Sequence, residues 1–269
     1  MATMLRDLQG LSRRAPTEQR VIVSRIIDCS ASAVCASFGI KAVIEGQETY
    51  RVGDQLRVVR AGQFIVLPPG QSFEVGISRE QIAVGLCIDM PADAVETFTG
   101  NISDHPDAVF SLNQDRLGEA LVDLWSRANR AQRLPNITPH FAGWLVEHAH
   151  AMARLEVRRP STRRDLYARV ERARQYLHAH QDRLVSLDEL ARAANLSPHH
   201  LNRTFRQLLG TPPARYHRNL RLREAAVDLE RGTKTATDLA LELGYSDLPS
   251  FSRAFRRVHG VPPSALRRS

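Results

Sequence analysis

The sequence predicts an α+β protein of two domains. An N-terminal β-barrel carries appended helices, and a C-terminal all-α domain has two helix-turn-helix units joined by a long helix. Three observations carry this. Seventy residues from Val21 to Met90 read as eight short strands. From Pro91 the apolar period changes from two to nearly four. A helix-turn-helix pattern then occurs twice in the last hundred residues, the mark of a duplicated supersecondary unit.

Residues 1–19, with Arg6, Arg13 and Arg14 and little periodicity, read as a frayed terminus, with an N-terminal arm as the alternative. The domain over 20–157 opens with VIVSRIID, SAVCASFGI, KAVIEG, QETYRV, QLRVVR, GQFIVLPPG, SFEVGI and IAVGLCID. These runs are short, rich in Val, Ile and Phe, and punctuated by Gly, Pro, Asp and Gln, so they suit a small barrel or double-sheet roll. Alternation pairs Tyr50 with Val52, Phe64 with Val66 and Phe73 with Val75 on shared faces. Tyr50, Phe64, Val66 and Phe73 are therefore candidates to line a pocket, with plain core as the alternative.

Between Pro91 and Arg159, Leu117, Leu121, Leu124 and Ala128 form one helical stripe, with Trp125 alongside. Leu134-Pro135 breaks it. Thr138 is expected to cap a second helix with Pro139 at its first position, and Phe141, Trp144, Leu145, His148, Met152 and Leu155 make its apolar stripe. His148 and His150 stand two apart, on different faces, and are no metal pair. The polar, basic, proline-containing stretch 158–164 reads as an interdomain linker.

The domain over 165–269 starts with a helix from about Arg164 to His180 that buries Val170, Ala173, Tyr176 and Leu177. Ser186 then begins the first helix-turn-helix (about 187–208), with Glu189 three residues on as in a capping box. Asn195 tolerates the left-handed backbone that ends the short helix. Ser197 caps the next helix, Pro198 opens it, and Leu201, Phe205 and Leu208 form its buried face. The opposite face carries His199, Asn202, Arg203 and Arg206. Thr211 is expected to cap a long helix over 212–230 that Gly232 ends. The second unit (about 236–258) repeats the first. Leu239-Ala240 matches Leu190-Ala191, and Ser246 matches Ser197. After one extra residue, Phe251, Arg253, Phe255, Arg256, Gly260 and Pro262-Pro263 match Leu201, Arg203, Phe205, Arg206, Gly210 and Pro212-Pro213.

Paired helix-turn-helix units with arginines at matching exposed positions fit DNA reading. His199, Asn202 and Arg203 are assigned to base edges, because Arg meets guanine and Asn meets adenine through two hydrogen bonds each. His200 and Arg206 are assigned to phosphates. In the second unit the matching set is Leu248, Pro249, Ser252 and Arg253, with Arg256 on phosphate; this set is less polar, so weaker base discrimination is expected there. Salt bridges between helices are the alternative for Arg203 and Arg253.

The segments LALELGYSDLPSFSRAFRRVHGVPPSALRR and LARAANLSPHHLNRTFRQLLGTPPARYHRNLRLREAAVDL resemble the AraC/XylS family of transcription regulators. The usual aromatic pair of the second recognition helix appears as Ser250-Phe251. Gly62 to Gly70 (GQFIVLPPG) resembles the second cupin motif, G-x5-P-x-G, and the sensory domain of that family. The resemblance implies a cupin-like sensory barrel with dimerisation helices and a homodimer. It also implies that the long helix sets both readers about 34 Å apart, one duplex turn. A small-molecule effector and contact with RNA polymerase are further implications.

Charge agrees. The chain has 37 Lys+Arg against 29 Asp+Glu, net +8. From Ser161 onward there are 20 basic and 11 acidic residues, so the excess lies entirely in the second domain. Cys29, Cys35 and Cys87 are too few and too irregular for a disulfide framework or a zinc site. The first histidine is His105, and Phe73 stands where the cupin motif would place a ligand histidine, so no metal, no cofactor and no catalytic residues are expected. No apolar run is long enough for a membrane and no signal peptide is evident, which points to the cytoplasm. The reading is a sequence-specific DNA-binding transcription regulator, an activator, controlled by a signal at the barrel. A barrel that binds a protein partner, or a cupin-type enzyme fused to DNA-binding helices, are the alternatives.

Overall fold

The computed structural model describes residues 16–28, 30–77, 81–99 and 108–266. Most of residues 1–19, and His105, lie outside them. Eight strands fill the first seventy of these positions, as the short apolar runs require: β1 (Arg20–Ile27), β2 (Ser30–Val34), β3 (Phe38–Glu45), β4 (Gln47–Val52), β5 (Gln55–Arg60), β6 (Gln63–Leu67), β7 (Ser72–Gly76) and β8 (Ile82–Met90). Helix α1 (Ala92–Thr99) follows, and then a short strand that sequence reading missed, β9 (Val109–Ser111). The strands form two antiparallel sheets, one in the order β1-β8-β3-β6-β9 and the other β2-β7-β4-β5.

Side-chain parity on the larger sheet decides what faces the barrel interior. Lys41 pairs with Cys87 and Gly39 with Asp89. Val43, Ile65 and Leu67 from this sheet pack with Tyr50, Val59 and Val75 from the other, forming the interior core. Phe64 stands on the opposite side of β6 from these residues. It stacks on Phe110 at 5.4 Å and meets Trp144 at 5.9 Å. Helix α2 (Arg116–Asn129) and helix α3 (Thr138–Ala153) supply the cover, burying Leu117, Leu121, Leu124, Phe141, Trp144 and Leu145.

The caps of this layer differ in detail from expectation. Asp115 caps α2 by accepting from the Gly118 amide, and its second oxygen accepts from Trp144 Nε1–H at 3.0 Å. One carboxylate thus starts one helix and anchors the next. Thr138 is inside α3 and not its cap; Ile137 holds the cap position. Asn136 accepts from the Thr138 amide, and Gln19 accepts from the Ile137 amide while donating to Pro135 O. Side chains before the helix thereby take the role expected of the Thr138 hydroxyl.

The chain divides into compact units at 1–171 and 172–269. The stretch expected as a linker is helical from Pro160 onward, in α4 (Pro160–Ala179). Pro160 does not break the chain there, because a proline at the first helical position removes only an amide that has no intrahelical partner. The second unit contains α5 (Leu187–Ala194), α6 (Pro198–Leu209), α7 (Pro213–Arg231), α8 (Ala236–Glu242) and α9 (Leu248–His259). Its C-terminal half packs Leu222, Ala225, Ala226 and Leu229 of α7 against Leu239, Ala240, Phe251 and Phe255. No helix of the described residues is long and apolar enough to cross a membrane.

Candidate nucleic-acid interface and barrel cavity

Each helix-turn-helix is built by local rules. Ser186 caps α5 by accepting from the Glu189 amide, and Asn195 ends it in the left-handed region at φ 53, ψ 50. Ser197 caps α6 by accepting from the His200 amide, with Pro198 first in the helix and Gly210 left-handed at its end. Leu201, Thr204, Phe205 and Leu208 are buried, while His199, Asn202, Arg203 and Arg206 are exposed. The apolar stripe therefore fixes which side chains α6 presents. His200, assigned to the rim, is half-buried.

In the second copy Thr235 caps α8 in a full capping box with Asp238. Gly244, at φ 79, makes the turn that Asn195 makes in the first copy. The extra residue lies in the turn itself. The cap is Asp247, which accepts from the Ser250 amide, so Ser246 is not the counterpart of Ser197 in this role. Leu248 opens the helix, 40% exposed; Pro249, Arg253, Arg256 and Arg257 are exposed and Ser252 is half-buried. Arg253 donates to Ser250 Oγ at 2.9 Å, and Ser250 Oγ in turn donates to Asp247. The guanidinium is steered along its own helix and does not bridge to another. Among the described residues Arg203, Arg206 and Arg256 have no ion pair.

The connecting helix holds polar groups that sequence reading missed. Pro212, not Thr211, holds the cap position of α7. The buried set includes His217 and Arg221. Arg221 Nε donates to Gln181 O at 3.1 Å and Nη2 to Glu242 O at 2.9 Å. One guanidinium thereby ties the loop after α4 to the last turn of α8. His217 Nε2 donates to His180 O at 3.1 Å. Arg183 and Tyr176 both donate to Glu189 on α5. A polar residue at an apolar-stripe position of α7 was the available signal.

These groups set a pH response. Burial, reinforced by Arg174, Arg223 and His217, pulls His178 down to about 4, and burial likewise lowers His217. Both histidines bind fewer protons folded than unfolded as pH falls from 6.5. Their contribution is complete above 6.5 and is lost as pH falls below it, for His178 progressively toward 4. Glu189, held down to about 2 by Arg183 and Tyr176, acts in a separate window below its ordinary value of 4.5. Hydrogen exchange of α5–α9 amides in the full chain should show a loss of about 1–2 kcal/mol between pH 6.5 and 4, after discounting for partial exposure of the histidines. Flat protection across that window would refute the assignment.

The barrel holds a cavity of about 270 Å³. Tyr50 and Phe73 line it, with ring centroids 5.8 Å apart. Phe64 and Val66 do not, because they sit at the even positions of β6 and face the helical cover, whereas Ile65 and Leu67 face inward. Sequence alternation had the two faces paired correctly and could not say which one was the interior. Lys41, Cys87 and Asp89 also line the cavity. The Lys41 ammonium meets Ser24 Oγ at 2.5 Å, Cys87 Sγ at 3.3 Å and Glu48 Oε1 at 3.1 Å. Glu48 Oε2 accepts from Tyr50 OH at 2.7 Å. The approach to Oε1 is an ion pair without hydrogen-bond geometry, so that oxygen is held by charge alone. Burial opposes the Lys41 charge, but Cys87 and Glu48 more than offset it and the net shift is upward. Burial pushes the Cys35 thiol up to about 12, so it is not a reactive thiolate at neutral pH. No cluster of three or more metal-binding side chains occurs among the described residues.

Fold and site together define a two-part protein: a barrel with an internal cavity and a basic helical unit that presents two capped helices with polar faces. Two family models match, an "AraC-like ligand binding domain" over residues 33–138 and a "Helix-turn-helix domain" over residues 190–269. The chain belongs to the AraC family of regulators. The XylDLEGF operon transcriptional activator of Pseudomonas putida is 28% identical over 144 residues, 51% of this chain and 43% of that one. The HTH-type transcriptional activator AarP of Providencia stuartii is 34% identical over 85 residues, 32% of this chain and 63% of that one. The chain thus spans less than half of the first relative's length. Among solved structures, the C-terminal domain of AraT, a response regulator from Geobacillus stearothermophilus, is 32% identical. It matches 38% of this chain and 85% of that one, at a TM-score of 0.34.

Proposed function

We propose that this protein is a sequence-specific DNA-binding transcription regulator, an activator, whose barrel senses a small molecule. The observation that carries it is the matched pair of exposed faces on α6 and α9, each set by its own cap and buried stripe, in a unit that holds the chain's whole excess of positive charge. His199, Asn202 and Arg203 read base edges from α6, and Arg206 and Arg256 hold phosphates. Leu248, Pro249, Ser252 and Arg253 offer less to base edges, and Arg253 already has a partner in Ser250. The second unit therefore discriminates bases less. The cavity and the name of the matching barrel domain support control by a ligand, and the relatives named as activators support the sign of regulation. A ligand that binds one conformation better shifts the population that engages DNA. The protein acts in the cytoplasm as a homodimer and contacts RNA polymerase; the family resemblance supports these points.

The test is binding of the full chain to its own upstream DNA across a salt series, with and without fractionated metabolites. Selective binding with a steep negative salt slope is expected, together with a metabolite fraction that changes affinity. Absence of selective binding at any salt would overturn the reading; selectivity indifferent to every fraction would shift the sensed signal to a protein partner. Within this assay Arg203→Ala should weaken operator binding by about 1–3 kcal/mol and relax preference at one base position. Arg206→Ala should weaken all sequences alike and reduce the salt slope by about one. Equal losses on operator and random DNA for Arg203→Ala would remove its base-reading role.

A further inference from the structure

The side chains facing the barrel cavity constrain what it accepts. Lys41 donates to Ser24 and Cys87 and is ion-paired at 3.1 Å with Glu48 inside the wall. Its charge is therefore already compensated before any anion enters. Glu48 is fully buried behind it, compensating its charge. Asp89 is different. Arg20 Nε and Nη2 both donate to its Oδ2, at 2.9 and 2.6 Å. Among the described residues Oδ1 has no donor, and Asp89 stands in the cavity wall. The four charges Arg20, Asp89, Lys41 and Glu48 sum to zero beside a space lined largely by Ile26, Ala31, Ala33, Leu67, Phe73 and Val75, with hydroxyls from Ser30, Ser32 and Ser37. The field favours neither a cation nor an anion, and the charged group with an open valence, Asp89, is an acceptor. Size follows from volume: an engineered void of about 150 Å³ takes benzene, so this cavity, at about 270 Å³, suits about ten non-hydrogen atoms.

We propose that the barrel cavity takes a compact, uncharged molecule, apolar over its body and bearing one hydroxyl that donates to Asp89 Oδ1. Phenols and small alicyclic alcohols have this form; carboxylates of the same size do not. The proposal rests on the reading of the barrel as a small-molecule sensor and specifies what that sensor accepts. The small side chains of β2 make the room. Ala31 and Ala33 stand opposite Val75 and Phe73, where larger residues would close the space.

Three probes that share one ethylphenyl body test it on the full chain at pH 7 by calorimetry: 4-ethylphenol, 4-ethylbenzoate and ethylbenzene. We expect 4-ethylphenol to bind about tenfold more tightly than ethylbenzene, the size of one hydrogen bond to a charged acceptor. It should exceed 4-ethylbenzoate by more than that. Asp89→Asn should erase most of the advantage of 4-ethylphenol over ethylbenzene while ethylbenzene binds as before. Ala31→Leu, which fills the cavity without touching the polar groups, should abolish binding of both. A preference for 4-ethylbenzoate would overturn the proposal and leave the sensor reading standing, with an anionic ligand. Failure of all three probes to bind at millimolar concentration would also overturn it. The sensor reading would then be judged separately, by the metabolite fractions in the DNA assay. Both outcomes are read from the wild-type chain, so they do not depend on the variants folding.

Discussion

Lys41→Met should destabilise the barrel unit by about 3–5 kcal/mol, because it removes one partner of a buried ion pair and leaves the other without compensation. Glu48 is fully buried, and its Oε1 has only the Lys41 charge beside it. The pair itself contributes little, since desolvating two ions offsets most of their attraction. The control is therefore the double variant Lys41→Met with Glu48→Gln. It removes both charges and keeps an oxygen for Tyr50 OH, which donates to Glu48 Oε2 at 2.7 Å. Thermal unfolding of the full chain, followed by tryptophan fluorescence, reports on this unit because Trp125 and Trp144 both lie within it. The single variant should lower the midpoint by roughly 10 °C, and the double variant should recover most of that. If single and double variants fall equally, Glu48 is not held as a charge and the account of the network fails.

Arg221→Met should cost the DNA-binding unit about 2–4 kcal/mol. Arg221 is 6% exposed, and its guanidinium donates to two carbonyls, Gln181 O and Glu242 O. An apolar side chain of similar length fills the volume but leaves both acceptors without a partner, at about 1–3 kcal/mol each unless water enters. Lysine, a point charge on a flexible stem, cannot reach both at once, so Arg221→Lys should recover less than half. Hydrogen exchange should localise the loss to the turns after α4 and α8. Because the first turn leads into the first helix-turn-helix and the second lies within the second, Arg221→Met should also weaken binding to a two-half-site operator more than to a single half-site. Equal weakening on both would show that the guanidinium stabilises the unit without setting the relation between its readers.

Much of the helical half was legible because its determinants are local. Ser186, Asn195, Ser197, Gly210 and Gly232 act within one turn of their own positions, and the structure places each where the residue type predicts. The two caps that moved, from Thr138 to Ile137 and from Thr211 to Pro212, lie where a proline follows the threonine. Proline at an early helical position fixes the backbone without needing a capping oxygen, so the threonine is free to fall on either side of the boundary. The offset of the second copy moved for a related reason: serine and aspartate both cap helices, and Ser246-Asp247 offers both in succession.

The sequence by itself determined the class of each half, the strand count before Met90, the duplicated helix-turn-helix and the exposed faces that include Arg203 and Arg256. Alternation, capping and the 3.6-residue period are properties of neighbouring residues and can be read without knowing what lies across the core. Only the tertiary structure decided which face of β6 looks inward, and so removed Phe64 and Val66 from the cavity wall. Only it brought Lys41, Glu48, Ser24 and Cys87 together from four strands, set Asp89 of the cavity wall against Arg20, and gave Arg221 carbonyls from two separate turns. The physical reason is common to all three. A buried charge is tolerable only beside partners distant in the chain, and the identity of those partners is set by register and packing, which the local pattern does not contain.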